Sequence, residues 1–405
     1  MLDRARWARL ADTFAILVAV VLPWSISATE ILIALWLVAL LPTLDGTSLR
    51  AALTRPAGYL PVVLCLLAVL GMLWADASLD DRLGGLRWFL RLLVIPLLFV
   101  HFRHSDRGAW VLIAFLGSAT ALLVLSGVTV LWPALWVRDP PGVPVKDYIA
   151  QSGEFTICAF ALAAAAVTLW HDGWRGAALA ALGLALLFMA DVLYVATGRT
   201  TLVVIVLLLV VFAFWHFRWQ RALGLVAAAV VLGAIVWASS PYLRERVTSL
   251  VTEVETYRSE GPVSSAGIRL ELWRKSAAFV AEAPLIGHGT GSIGPLFRRA
   301  ELAGSMLGDV VNPHNQTFVV AIQLGLIGVA VLYAMWVAHL ALFRGGGSVV
   351  AFIGLVVVLQ NAVGSVFNSH LSDATQGWFY VFGVGVAGGM VWRVSDLARS
   401  KAGAP

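Results

Sequence analysis

Charge is scarce in this sequence. Of its 405 residues only 13% are charged and 60% are hydrophobic, where a soluble chain carries about 25% charged and roughly 45–50% apolar residues. A soluble domain of this size would have too little polar surface to cover its core, which excludes a soluble enzyme, a nucleic-acid binder and a disordered scaffold. Cysteine is almost absent. Cys65 and Cys158 both lie in apolar stretches, a placement that admits one disulfide or two buried thiols and offers no Cys/His metal cluster. No P-loop is present, so ATP does not drive the protein. The polar loops lack a D-x-D pair or carboxylate cluster, and with it the usual divalent-metal site for phosphate chemistry. Carboxylates are also few within the apolar stretches, which argues against an ion-coupled pump.

What the sequence has is long apolar runs, recurring to its C-terminal end. An apolar run of about 20 residues spans the hydrocarbon as a helix. Twelve are read here, roughly 10–25, 27–42, 57–74, 84–101, 109–132, 149–170, 176–195, 199–217, 221–239, 313–343, 347–370 and 376–393. A single-pass receptor is therefore excluded. The expected fold is an all-α polytopic membrane protein. The first run, after Arg4-Ala5-Arg6, has the look of a signal peptide, but Leu22-Pro23-Trp24 leads straight into the second, so an uncleaved span or a re-entrant pair is expected.

Lys and Arg set the orientation. Arg50, Arg55, Arg103, Arg107, Arg175, Arg218, Arg221 and Arg344 all fall in loops on the N-terminal side of the membrane, with Arg393, Arg399 and Lys401 at the other end of the chain. The opposite short loops hold only Arg82, Arg138, Lys146 and Arg199. Both termini are expected inside. Residues 1–239 then form nine spans, 240–312 a helical cap on the outer face, and 313–405 three more spans with an inner tail. The cap balances eight basic and eight acidic residues, so it reads as a folded unit with helices at 242–258 and 267–281.

Several outer-face residues are equipped for chemistry. His314, in Asn312-Pro313-His314-Asn315, is expected at the N-terminus of span 10, since Pro favours a first helical turn; a neutral imidazole there accepts a proton from a hydroxyl, or simply caps the turn. Arg199 opens span 8. Arg87 and Arg91 lie four apart, on one helix face. Arg269 and Arg274 lie in the second cap helix. Converging guanidinium groups suit a phosphate or diphosphate, because their planar forks donate two hydrogen bonds at once. For each arginine alone, snorkelling to headgroups or pairing with Asp80, Asp81 or Asp191 explains it equally well. His288, within the spacing Gly287-x-Gly289-x-Gly291, is a second base candidate, though the glycines follow a helix and read as a turn. Tyr148, Glu154 and Asp191 lie at span ends, where each orients a ligand or caps a helix.

Three blocks together resemble the O-antigen ligase and polymerase superfamily of bacterial envelope enzymes. They are Thr197-Gly198-Arg199; Arg269-x-x-x-Trp273 followed by Pro284-Leu285-Ile286-Gly287-x-Gly289-x-Gly291; and Pro313-His314-Asn315 leading into Gly325-Leu326-Ile327-Gly328. The specific part is 265–330; the rest matches only in hydropathy. The sequence most resembles the lipopolysaccharide O-antigen ligases. Polymerases and protein O-oligosaccharyltransferases share parts of the pattern, and the long C-terminal domain of the latter is not seen. The resemblance implies a glycosyltransferase-C-like arrangement in the bacterial inner membrane, acting at the periplasmic face. It implies transfer of a glycan from undecaprenyl diphosphate to a lipid A–core sugar, with no cofactor, metal or nucleic acid. It places the functional histidine on His314 and functional arginines on Arg199 and Arg269; the residue types themselves add Arg87, Arg91 and Arg274 as candidate diphosphate ligands and Asn312, Asn315, Tyr148 and Asp191 as supporting candidates. A flippase for a lipid-linked glycan is the rival from another class; the histidine-bearing cap and the lack of a coupling carboxylate argue against it.

Overall fold

The computed structural model describes residues 3–135, 141–239, 241–261, 264–301, 312–345 and 347–402. Positions 240, 262–263 and 302–311 of the expected cap lie outside these. The described secondary structure is helical: α1 Arg4–Val21, α2 Ile26–Leu40, α3 Gly46–Leu53, α4 Pro56–Gly71, α5 Leu79–Arg91, α6 Val94–His104, α7 Gly108–Leu131, α8 Tyr148–His171, α9 Arg175–Tyr194, α10 Arg199–His216, α11 Trp219–Ser239, α12 Pro241–Glu260, α13 Ser265–Glu282, α14 Ile293–Glu301, α15 Gln316–Phe343, α16 Val349–Phe367 and α17 Ala374–Ala402, with two short 3-10 turns.

All twelve expected apolar segments are helical, though not all are long and apolar enough to cross on their own. Among the described residues ten helical segments are long and apolar enough to cross a membrane, and the pair α3–α4, bent by 86°, makes an eleventh. Helix α1 falls short because its 18 residues include Arg4, Arg6, Arg9 and Asp12. The fourth span starts at Leu79, earlier than expected, and runs as α5 and α6 to His104. Large side chains such as Val206, Val230 and Val337 point outward, more than 60% exposed, while Trp36, Phe89, Phe99 and Tyr380 are fully buried. That inversion of the soluble pattern follows from a lipid surround, which needs no polar cover. Cys65 and Cys158 are buried free thiols.

Polar contacts close each end of the bundle. On the basic face Arg103 Nε meets Asp396 at 2.6 Å, the Arg55 guanidinium lies over Trp392, and His101 Nε2 donates to Asp12, because Trp36 already donates to Nδ1. On the opposite face Arg298 and Arg299 of α14 pair with Asp81 and Asp76, tying the cap to the α4–α5 loop. Helices α12 and α13 form the rest of the cap, as their polar patterning predicts.

One span is broken. Gly325, inside α15, has φ 63° and ψ −164°. The segment after α13 fills the gap. Leu326 and Ile327 N–H donate to the carbonyls of Pro284 and Leu285, and the carbonyls of Ile322 and Gln323 accept from His288 and Gly289 N–H, at 2.7–3.3 Å. Gly291 N–H donates to Gln323 Oε1, and Thr290 Oγ1 to the Ala68 carbonyl. Irregular backbone at membrane depth survives only where protein satisfies it, and here the loop does so. The glycines are required: Gly287, Gly289 and Gly291 all have φ between 67° and 90°, and a Cβ on any of them would lie 2.4–2.6 Å from neighbouring backbone. The blocks around Gly287 and Gly325 are thus two halves of one packing device. His288 belongs to it, its Nε2–H donating to the Phe279 carbonyl.

Candidate functional site

His314 sits just before α15 rather than in its first turn. The helix begins at Gln316, capped by Asn315, whose Oδ1 accepts from Thr317 and Phe318 N–H. His314 has φ 51°, a conformation that costs a non-glycine residue free energy and persists only when its surroundings enforce it. They do. Asn312 Oδ1 accepts from His314 N–H at 2.9 Å and from the Ser369 hydroxyl at 2.6 Å. Asn315 Nδ2 donates to the Val366 carbonyl. Gln316 Oε1 accepts from Leu371 and Ser372 N–H. The two asparagines therefore clamp the turn to the α16–α17 loop.

The ring is oriented by Asn368, whose Oδ1 lies 3.1 Å from Nδ1. A carboxamide oxygen accepts only, so Nδ1 carries the proton and Nε2 keeps its lone pair. Burial pushes the His314 pKa below the ordinary 6.5; the Asn368 bond opposes that, and the Arg269 charge adds to it. His314 is therefore neutral at pH 7. His370 is buried more deeply, and burial lowers its pKa to about 4.

Arg269 and Trp273 lie one turn apart on α13, on the same face. Trp273 Nε1–H donates to the Pro313 carbonyl at 3.1 Å, which fixes the cap helix to the histidine turn. Arg269 is half-buried; burial depresses its pKa, and it lies within electrostatic reach of Tyr148, Arg199 and Glu253. Arg269 is therefore within electrostatic reach of both His314 and Arg199. Arg199 itself is held by a bidentate pair with Glu253 of α12, Nη2 to Oε1 at 2.6 Å and Nη1 to Oε2 at 3.3 Å, and it donates to Ser249. Its Nε is buried without a partner among the described residues. The Arg199 bond holds the Glu253 carboxyl below its usual range.

The N-termini of four helices meet here. Ser152 and Thr201 hydroxyls join α8 to α10 at 2.9 Å, Gln376 Nε2 reaches the Ile149 carbonyl at 3.3 Å, and Gln316 joins α15 to the start of α17. Three of these N-termini are already capped, α8 by Asp147, α15 by Asn315 and α17 by Asp373, so positive charge at the site comes from the arginines. An apolar groove of about 390 Å³ between α9, α10 and α11, lined by Leu193, Leu202, Val236 and Trp237 among others, begins just below Arg199.

The other expected residues separate. Arg91 donates to the Asp373 carbonyl at 2.8 Å and lies over Trp378, so it braces the same loop that carries Asn368. Arg87 is exposed one turn away. Arg274 points outward, paired with Glu271 on its own helix, and Glu271 also accepts from Tyr257. Asp191 is buried and accepts from Ser126 and from Gln151 Nε2, joining α7, α8 and α9. Glu154 is buried 3.6 Å from Lys146 Nζ. Glu253, Asn368 and Lys146 escaped the sequence reading: each acts through a partner more than 50 residues away in the chain or, for Lys146, through a buried pair across a loop, and no local motif announces it.

Residues 184–333 match the family model described as O-antigen ligase. The matched segment includes Arg199, Arg269 and His314 and the paired glycine blocks, so this part of the chain is similar to the O-antigen ligase family. The described residues form a helical protein with ten segments long and apolar enough to cross a membrane. No curated protein matches the chain.

Proposed function

We propose that this protein is a lipopolysaccharide O-antigen ligase of the bacterial inner membrane. It transfers an O-antigen glycan from undecaprenyl diphosphate to a lipid A–core sugar at the periplasmic face. The observation that carries this reading is the meeting of His314, Arg269 and Arg199 beneath the cap, with an apolar groove leading away from Arg199 into the membrane. In this mechanism the guanidinium groups hold the lipid diphosphate, and its isoprenoid tail lies in the groove. His314 Nε2 takes the proton from the acceptor hydroxyl as that oxygen attacks the anomeric carbon. The glycosyl–oxygen bond to the diphosphate breaks from the opposite side, so configuration inverts. The departing diphosphate gains negative charge, which Arg269 and Arg199 stabilise. Arg199 exchanges Glu253 for the donor, since one fork cannot serve both.

The test is transfer by purified protein in detergent, with a lipid-diphosphate donor and rough lipopolysaccharide. Detergent abolishes compartments, so product cannot come from transport; a polymerase would lengthen the donor glycan and leave the acceptor bare. Transfer is expected to continue in EDTA, because guanidinium groups supply the charge. Loss on chelation, restored by magnesium or manganese, would refute that part.

Two further outcomes are expected. The general base must be neutral, and its pKa lies below 6.5, so single-turnover transfer should hold steady from pH 8 to about 6.5 and fall only at lower pH. An acid limb centred above pH 7 would exclude His314 as the titrating base. Arg199→Ala should weaken donor binding as well as turnover, by about 10-fold or more in affinity, since charge-assisted bonds are worth roughly 1.5–3 kcal/mol. Arg199→Lys should restore it only in part, because an ammonium lacks the planar fork. Donor affinity measured by titration decides it; unchanged affinity in both Arg199→Ala and Arg269→Ala would move the diphosphate elsewhere.

A further inference from the structure

A second site lies at the opposite end of the bundle, away from the cap. The last turns of α8 and α10 and the first turns of α9 and α11 enclose a hollow of about 560 Å³. That volume lies within the ~300–1,000 Å³ usual for a small-ligand site. Its depth is apolar and cut by small residues: Ala163, Ala166 and Ala178 leave the space, and Leu182 and Leu225 line it. Its rim is cationic. Arg218 and Arg221, on the α10–α11 turn and the first turn of α11, both line the hollow and are exposed. No ion pair or side-chain hydrogen bond engages either guanidinium among the described residues. Between residues 163 and 225 the sequence has only Asp172 and Asp191 as acids; neither lines the hollow, and Asp191 is committed at the other end of α9. The ring of His216 also lines it, and its buried Nε2 has no partner.

The surroundings set the depth of this site. Trp170, Trp174 and Trp219 are 50–68% exposed around it, and the Arg175 guanidinium stacks over Trp170 at 5.6 Å. Tryptophan and arginine gather where hydrocarbon meets headgroups. A hollow at that level, apolar inside and doubly cationic at the mouth, complements a molecule with one negative head and an apolar chain. Basic pockets between spans on the cytoplasmic side bind anionic headgroups by this chemistry. A free anion would leave the apolar depth unfilled; a zwitterionic lipid would bring its own cation to the two arginines.

We infer that this hollow binds an anionic glycerophospholipid of the leaflet opposite the cap, its phosphate against Arg218 and Arg221 and one acyl chain among the alanines. This inference is independent of the transfer reaction. Native mass spectrometry of the intact detergent-purified protein tests it, with phosphatidylglycerol and phosphatidylcholine of identical chains as probes. Phosphatidylglycerol should be retained about 25-fold better, roughly fivefold for each arginine. The Arg218→Gln/Arg221→Gln protein should lose that preference, and both sites are exposed, so folding is spared. Ala178→Leu fills the hollow without touching charge and should lower phosphatidylglycerol retention, while excess inorganic phosphate should leave the lipid in place. Equal retention of the two lipids, or a preference that survives the double substitution, would overturn the site. Displacement by phosphate alone, or undiminished binding in Ala178→Leu, would equally overturn it, leaving a simple surface anion site.

Discussion

His314→Ala should lower single-turnover transfer by about 10²–10⁴-fold, the usual worth of general-base catalysis, while donor affinity stays within a few-fold of wild type. The split follows from the charge of the ring. Burial and the nearby Arg269 keep His314 neutral, and a neutral imidazole adds little to the hold on a diphosphate. Asn368→Ala gives a second reading of the same idea. It removes the acceptor that fixes the proton on Nδ1, so the wrong tautomer becomes available and turnover should fall without loss of donor binding. Because His314 is held in a strained turn by Asn312, both variants need a folding check by thermal melting in detergent. A folded His314→Ala protein with undiminished transfer would remove the histidine from the mechanism.

Gly325→Ala should be among the most destabilising single substitutions in the chain, by on the order of 3 kcal/mol or more. Two costs add. The residue has φ 63° with ψ −164°, a region essentially reserved for glycine, which alanine adopts only with strain of about 1–3 kcal/mol. A Cβ there would lie 2.2 Å from the Leu285 carbonyl oxygen, and overpacking of this kind costs roughly 1–3 kcal/mol. The clash is with backbone, so no rotamer change relieves it. Gly127→Ala in α7 is the control: nothing lies within 4 Å of its Cβ and its φ is ordinary, so the melting temperature should hold or rise slightly. A Gly325→Ala protein that melts with the wild type would mean that the Pro284–Gly291 loop does not dock into the break of α15.

The two glycine blocks show where reading along the chain stops. Gly287-x-Gly289-x-Gly291 looks like a turn after a helix, and so it is, but its partner lies some 35 residues away inside a span. Hydropathy reports that 316–343 is long and apolar enough to cross; it is blind to a single residue at positive φ. The same limit misplaced His314 by a few residues, since Pro313 signals a helix start while Asn315 provides it. Helix α1 shows the converse, an apolar half joined in one helix to a half that carries Arg4, Arg6, Arg9 and Asp12.

By itself the sequence determined the membrane-spanning, helical character of this protein, and it pointed to His314, Arg199 and Arg269, the residues on which the proposed site is built. Those properties are local or additive: mean apolarity over about 20 residues, the side on which basic residues gather, and the residue types in short motifs each survive without knowledge of contacts. The tertiary structure alone decided that Arg269 lies within electrostatic reach of both His314 and Arg199, which atom of His314 keeps its lone pair, and that Arg199 rests on Glu253. It also separated Arg274 and Asp191 from the site. Each of these depends on helices distant in sequence being packed side by side, and on hydrogen bonds whose direction only the final geometry fixes.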